Sequence, residues 1–168
     1  MMEYYRQIVT AQFEAALGML NECVLHCPAD HWHEKIANME FGYVPYHTLC
    51  YVDLYLSPNL AAFELRPFHN EHDENRFKPK ADHPITQTLV TDYLQICLKK
   101  MRETIAVETE ETLKRKADFD WLEDFSRGEL HLYSIRHIQH HTGALSASLR
   151  RLKINLKWGH TGWPAPTD

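Results

Sequence analysis

Apolar side chains recur at steps of three and four residues in several long segments, and this period limits the fold more than any other feature of the sequence. In the first segment, from about Glu3 to His26, the residues that follow the period are Tyr5, Ile8, Val9, Phe13, Ala16, Leu17, Leu20 and Val24. This spacing predicts the apolar face of an amphipathic α-helix. We find no alternating apolar run with hairpin turns at its ends, which would indicate strands. The sequence therefore predicts an all-α protein.

Proline separates the first two predicted helices. "CPAD" ends the first, because Pro28 disfavours helical geometry at the residue before it. After the irregular stretch "HWHEKIANMEFGYVPYH", Pro45 suits the first turn of a second helix, where its missing N–H costs nothing. We expect that helix to run from about Val44 to Leu56, until "SPN" stops it.

The second half of the chain predicts two more helices. The third is expected from about Pro84 to Val107, where the apolar period resumes. "ETEETLKRK" then predicts a short solvated turn or helix. The fourth opens at "SRGE", where Ser126 and Glu129 have the spacing of a capping box. It should continue to about Leu156, before the Gly/Pro tail "KWGHTGWPAPTD".

The connection between the second and third helices is long and has no sustained period from Ser57 to His83. A connection of this length inside a compact domain is uncommon, so it should cross the molecule or carry function. Four helices with one long connection describe a four-helix bundle with a crossover between helices 2 and 3. With no internal repeat, residues 1–168 are expected to form a single domain.

Charge and composition exclude several function classes. The formal net charge of −5 gives no electrostatic reason to expect nucleic-acid binding. No apolar run approaches the ~20 residues of a membrane span, and the N-terminus does not read as a signal peptide. We therefore expect a cytoplasmic protein without membrane contact. The four cysteines are few and irregularly spaced for a disulfide scaffold. Cys50 and Cys97 fall in apolar stretches and are expected to be small buried residues rather than a redox or zinc–thiolate site.

Three histidines lie within five positions of the fourth predicted helix. His137 and His141 are four residues apart, so they differ by about 40° around the helix axis and project from one face, one turn apart. This arrangement offers two ligands to a divalent transition metal. His140 points away from that face and is interpreted as an exposed residue or a neighbour of the ligands. The alternative for the whole group is a polar helix face with solvated histidines.

A fourth histidine strengthens the metal hypothesis. His47 lies in the apolar run "YHTLCYVDLYL", on the side of the second helix that also carries Cys50 and Leu54. An inward histidine without a partner would cost about 1–3 kcal/mol. A metal ion shared with His137 and His141 would supply that partner, and bundle cores commonly hold such sites between facing helices.

Other polar residues are rivals or neighbours of this site. The rival ligands are His69, His72 and His83, all in the long connection. Asp53 follows His47 by six residues and so lies on a different helix face; we interpret it as a surface or capping carboxylate rather than as a hydrogen-bond partner of a ligating histidine. His131 is expected to face away from His137.

These features together resemble the DinB/YfiT-like superfamily of metalloenzymes. The resemblance rests on "YHTLCYVDLYLS", on the short "WL" element before the last helix, and on "GELHLYSIRHIQHHTGALSASLRR"; it extends from about Glu3 to Arg151. Members carry a histidine early in the second helix and an H-x3-H pair, followed by an "H-G-Q-L"-like run, in the fourth. These positions are His47, His137 and His141 here, while Ala144 stands where glutamine is frequent.

The resemblance implies a bundle that holds a divalent metal ion, zinc or nickel, with an open coordination position for water or substrate. Characterised relatives include thiol-dependent S-transferases and a thiol-dependent isomerase, so the implied function is a metal-dependent transferase that acts on a low-molecular-weight thiol. Two alternatives are a metal-dependent hydrolase and a non-catalytic, metal-stabilised dimeric binding module. We also expect a homodimer through exposed apolar positions on the first or third helix.

Overall fold

Helices make up most of the structure. The computed structural model describes residues 1–36, 38–70 and 78–164. Within these ranges the helices are α1 (Met2–Leu25), α2 (Tyr43–Leu56), α3 (Gln87–Val107), α4 (Glu110–Lys114) and α5 (Arg127–Arg151). Two short strands, β1 (Lys35–Ile36) and β2 (Met39–Glu40), pair antiparallel between α1 and α2. The all-α prediction is therefore confirmed.

The four longer helices enclose a common core. α1 packs against α3 and α5, and α2 packs against the same two helices, while α4 lies on α5. Burial of each large apolar side chain contributes roughly 1.5–3 kcal/mol. Fully buried members of this core are Phe13, Leu17, Leu20, Tyr46, Leu49, Tyr93, Leu94, Met101, Ile138 and Leu145.

Helix α2 is buried on almost every side. Eleven of its fourteen residues are buried. The remaining three, Tyr43, His47 and Tyr51, are half-buried and follow one another at steps of four residues. They therefore form a single stripe along α2 through which solvent reaches the helix.

Most of the predicted helix boundaries agree with the structure to within one residue, but α3 begins later than expected. We predicted its start near Pro84, whereas the helix begins at Gln87. Thr86 is the N-cap, and its hydroxyl accepts a hydrogen bond from the backbone N–H of Leu89 at 3.0 Å. Because an N-cap residue has extended backbone geometry, the residues before it lie outside the helix.

Helix α5 begins as predicted and ends earlier than predicted. The capping box is present: the Ser126 hydroxyl accepts from the N–H of Glu129, and the Glu129 carboxylate accepts from the N–H of Ser126. The helix ends at Arg151 rather than near Leu156, because Lys153 adopts the left-handed conformation with φ 64°. The backbone N–H of Ile154 then donates to the Leu149 carbonyl at 3.0 Å, which closes a Schellman turn.

The long connection and the C-terminal tail are non-helical where they are described. In the connection, Asn70 N–H donates to the Lys78 carbonyl at 2.9 Å, and Lys80 N–H donates to the Phe68 carbonyl at 3.0 Å. These bonds bring together the two sides of residues 71–77, which lie outside the described residues and include His72. The tail returns along α1, where Gly162 N–H donates to the Ala11 carbonyl at 2.9 Å.

Contrary to the expectation from the sequence, helix α1 is long and apolar enough to cross a membrane by length and composition. In the described part of the chain it is the one helix that is this long and apolar. Half of its most apolar stretch is buried inside the protein, where α1 packs on α3 and α5. Core helices and signal sequences meet the same measure, so the expected cytoplasmic location stays a prediction.

Candidate metal centre

The three predicted histidines lie together between α2 and α5. His47 of α2 and His137 and His141 of α5 each offer one ligand atom, and these atoms all lie within 4.8 Å of one another. The ring centroids of His47 are 5.9 Å from His137 and 5.3 Å from His141. The site could therefore hold a metal ion.

The helical spacing of His137 and His141 sets their geometry. Their Nε2 atoms are 3.1 Å apart, and the two rings are nearly perpendicular at 87°. Zinc–nitrogen bonds of about 2.0–2.1 Å in a tetrahedral site place neighbouring ligand nitrogens roughly 3.3 Å apart. The spacing of the pair on α5 is thus close to that of a tetrahedral ion, and His47 offers a third donor atom within 4.8 Å of both.

The local environment keeps these imidazoles neutral at pH 7. Burial, together with the neighbouring His141, His47 and His140, lowers the pKa of His137 to about 4. Burial and the neighbouring His47 and His140 lower the pKa of His141 to about 4. Burial also lowers the pKa of His47. Because a metal binds the neutral form of imidazole, the ligands need not lose a proton to bind the ion at neutral pH.

Aromatic rings surround the three histidines. The Tyr51 ring lies 4.9 Å from that of His47 and 5.6 Å from that of His137, so it contacts ligands from both helices. Tyr43 lies one turn before His47, at 6.3 Å between centroids. The Tyr133 ring is stacked parallel to that of His137, with 13° between the planes and 6.4 Å between the centroids. A molecule that approaches the histidines therefore meets phenol rings on two sides.

His140 is not part of the cluster. It is exposed, and its ring is 5.1 Å from that of His141. The described residues that form the possible metal group are His47, His137 and His141. The structure therefore agrees with the interpretation of His140 as an exposed neighbour.

The rival histidines of the connection have other contacts. His69 is fully buried, its Nδ1 accepts from the N–H of Arg66 at 3.1 Å, and its Nε2 lies 3.5 Å from the Cys50 sulfur. His83 is paired with Asp82 at 2.9 Å. His72 lies outside the described residues.

All four cysteines are free and buried, which confirms the burial predicted for Cys50 and Cys97. Burial, with smaller contributions from nearby acidic groups, raises the pKa of both Cys23 and Cys27 to about 12. Burial also raises the pKa of Cys50 above its usual value. A thiol in this state is a poor nucleophile and a poor metal ligand.

The role expected for Asp53 was wrong. Its side chain is 0% exposed, so it is not a surface carboxylate. It accepts hydrogen bonds from Arg66 at 2.8 and 3.0 Å, from Lys100 at 2.6 Å and from Tyr93 at 3.1 Å. Its four-donor environment depends on residues of the long connection and α3, so the helical spacing alone contained no signal for it.

A second buried charge group lies at the start of α5. His131 is 1% exposed and faces away from the three histidines, as predicted; its Nε2 is 2.9 Å from a Glu108 oxygen. Arg127 donates to the same oxygen at 2.9 Å. Both Asp53 and Glu108 are therefore bonded to other side chains, and neither belongs to the group of residues that could hold the ion.

Comparison with known proteins gives no relative. No family model matches the chain, and no significant match is found among curated proteins or solved structures. The possible roles of the site therefore depend on its residues and their geometry.

Proposed function

We propose that this chain is a metal-dependent enzyme of the DinB/YfiT-like kind, in which His47, His137 and His141 hold zinc or nickel and a low-molecular-weight thiol is activated for S-transfer or isomerisation. The observation that carries the proposal is the convergence of three imidazole nitrogens, from two helices, to within 4.8 Å. The packing of α1 and α2 on α3 and α5 supports a four-helix bundle with a crossover at residues 57–83.

The composition of the site favours a reactive centre. The three donors are neutral and the described cluster contains no carboxylate, so the positive charge of the ion is not neutralised by its ligands. A divalent ion with such ligands lowers the pKa of a thiol or water that it binds. Three protein ligands leave a position free, and the half-buried stripe of α2 gives access to it.

The surrounding residues suit thiol chemistry better than hydrolysis. In metalloproteases with two zinc-binding histidines on one helix, a glutamate close to the ion acts as the general base. The buried carboxylates of Asp53 and Glu108 are already bonded to cations and to His131. The rings of Tyr43, Tyr51 and Tyr133 instead lie beside the histidines and would contact the carbon chain of a bound thiol.

Metal analysis of the purified protein tests the ligand assignment. His47→Ala, His137→Ala and His141→Ala should each reduce the affinity for zinc and nickel by at least tenfold. His140→Ala is the matched control, because His140 adjoins the cluster and is exposed; its affinity should equal that of the wild type. Retained binding in the first three variants would refute the assignment, and loss in His140→Ala alone would transfer the ligand role to that residue.

Chelation and a thiol assay distinguish the enzyme from the alternatives. Metal-loaded protein should consume a cellular thiol in the presence of a suitable electrophile, and chelated protein should not. Loss of the fold on chelation would indicate a structural ion, because the binding energy would then be folding energy. No thiol consumption over a panel of electrophiles, with ester hydrolysis present, would support the hydrolase instead.

A further inference from the structure

The hydrogen on the imidazole pair of α5 must be placed differently when a cation is bound. In the structure the Nε2 atoms of His137 and His141 are 3.1 Å apart, which is a hydrogen-bond distance. Two neutral imidazoles form such a bond only if one Nε2 carries a hydrogen and the other offers a lone pair. A cation bound by both Nε2 atoms needs both lone pairs. His137 must then carry its hydrogen on Nδ1, whichever ring was the donor before.

That Nδ1 atom has an unusual environment. It is buried and has no hydrogen-bond partner in the structure. The ring nitrogens of the other two described ligands, His47 and His141, are not in this situation. An N–H directed into this environment without an acceptor would disfavour the metal-binding tautomer of His137.

Ser134 also has a buried polar atom without a hydrogen-bond partner. It lies three residues before His137 on α5 and is 1% exposed, and its hydroxyl is also buried without a partner. Side chains three residues apart are neighbours on a helix surface, and long helical side chains lean toward the N-terminus, so Ser134 lies on the turn toward which a side chain at position 137 leans. A donor without an acceptor and a hydroxyl without a partner thus lie on adjacent turns.

We propose that the Ser134 hydroxyl accepts the Nδ1–H of His137 when the three histidines hold a divalent cation, and that Ser134 is therefore a positioning residue of the metal centre. The serine hydrogen is then free to donate to a backbone carbonyl of the preceding turn. This inference rests on the proposed function. It adds a residue that touches neither the cation nor the substrate but fixes the tautomer and orientation of a ligand.

Other described groups are less suitable acceptors. The Tyr133 ring is nearly parallel to that of His137 with 6.4 Å between the centroids, and no hydrogen bond joins the two side chains in the structure. The Asp53 carboxylate accepts from Arg66, Lys100 and Tyr93, and the Glu108 carboxylate accepts from Arg127 and His131. Ser134 is the unpartnered hydroxyl on the turn before His137.

The test compares zinc and nickel affinities of Ser134→Ala with those of the wild type by competition titration. We expect the affinity to fall by about tenfold or more in Ser134→Ala, as for other residues that support metal ligands. Thr142→Ala is the matched control: Thr142 is 2% exposed on the same helix, and its hydroxyl is also buried without a partner. Its affinity should stay within twofold of the wild type. Ser134→Thr, which keeps the hydroxyl, should recover most of the affinity.

Two further measurements separate positioning from a structural effect. The metal-free Ser134→Ala protein should be at least as stable to urea as the wild type, because the change removes an unpartnered buried hydroxyl. In the zinc-loaded wild type, nitrogen-15 NMR should place the His137 hydrogen on Nδ1 with slow solvent exchange, and that exchange should accelerate in Ser134→Ala.

Equal affinities of wild type and Ser134→Ala, or equal losses in Ser134→Ala and Thr142→Ala, would overturn the role of Ser134 and leave the metal centre intact. A wild-type protein that binds neither ion would overturn the proposed function and this inference together.

Discussion

The buried carboxylate of Asp53 offers the sharpest test of how the protein is held together. Asp53→Asn keeps the shape of the side chain but removes its charge and turns one of its two acceptor atoms into a donor. In the structure those two oxygens accept four hydrogen bonds, two from Arg66, one from Lys100 and one from Tyr93. After the substitution, the new amide N–H₂ would face N–H or O–H donors instead of accepting hydrogen bonds from them.

The expected cost follows from the burial of the partners. Removal of one member of a buried ion pair costs about 3–5 kcal/mol, because the other charge is left uncompensated. The side chains of Arg66 and Lys100 are 24% and 26% exposed, so both cations keep partial access to water. We therefore expect Asp53→Asn to lower the free energy of unfolding by about 3 kcal/mol, the lower end of that range. This is a large share of the about 5–15 kcal/mol by which a typical domain is stable.

Urea unfolding at pH 7 measures this loss. The midpoint should fall while the slope of the unfolding free energy against urea stays unchanged. Glu110→Gln is the control, since it makes the same chemical change in an exposed pair with Lys114 at 2.7 Å; its midpoint should not move measurably. A loss below about 1 kcal/mol in Asp53→Asn would show that Arg66 and Lys100 are solvated as at a surface, and the reasoning would fail.

Three further outcomes are expected. Burial would raise the pKa of Glu108, but hydrogen bonds from His131, Thr112 and Arg127 outweigh it and lower the pKa to about 2 from 4.5. The stabilisation from Glu108 is therefore complete above pH 4.5 and is lost as the pH falls toward 2; acid unfolding of Glu108→Gln should lack this dependence. Lys153→Gly should stabilise the protein by about 0.5–1 kcal/mol in thermal unfolding, since glycine adopts the left-handed conformation without strain. Arg127→Lys should cost about 2 kcal/mol in urea unfolding, because an ammonium cannot reproduce the forked contacts of the guanidinium.

The sequence predicted those parts of the fold that depend on local chemistry. The start of α5 was predicted correctly because a capping box involves side chains only three residues apart, Ser126 and Glu129. Its end was not, because Schellman turns are usually recognised by glycine, and here Lys153 adopts the left-handed conformation instead. The α3 start was missed for a related reason: Pro84 was taken as the helix start, whereas Thr86 caps the helix.

The same distinction applies to the candidate site. His137 and His141 were predicted as a pair because one helix fixes their spacing, and the addition of His47 required only that α2 and α5 face each other. The burial of Asp53 could not be predicted in this way, because Arg66 comes from the irregular connection. The lack of a hydrogen-bond partner for Nδ1 of His137 could not be predicted either, because it depends on which neighbouring side chains form hydrogen bonds elsewhere.

The contact between the end of α2 and the start of α5, which we call the joint, explains why His47 and His137 lie side by side although they are about ninety residues apart in the sequence. Arg127, in the first turn of α5, donates to the carbonyls of Tyr55 at 3.2 Å, Leu56 at 3.1 Å and Ser57 at 2.8 Å, and so caps the end of α2. A cation at this end also suits the helix dipole. At a rise of about 1.5 Å per residue, His47 lies about 12 Å back along α2 from Tyr55, and His137 lies about 15 Å along α5 from Arg127. Because one helix ends where the other begins, these nearly equal distances lead away from the joint in the same direction. The contact that satisfies the last carbonyls of α2 thus also sets the register in which the three imidazoles converge.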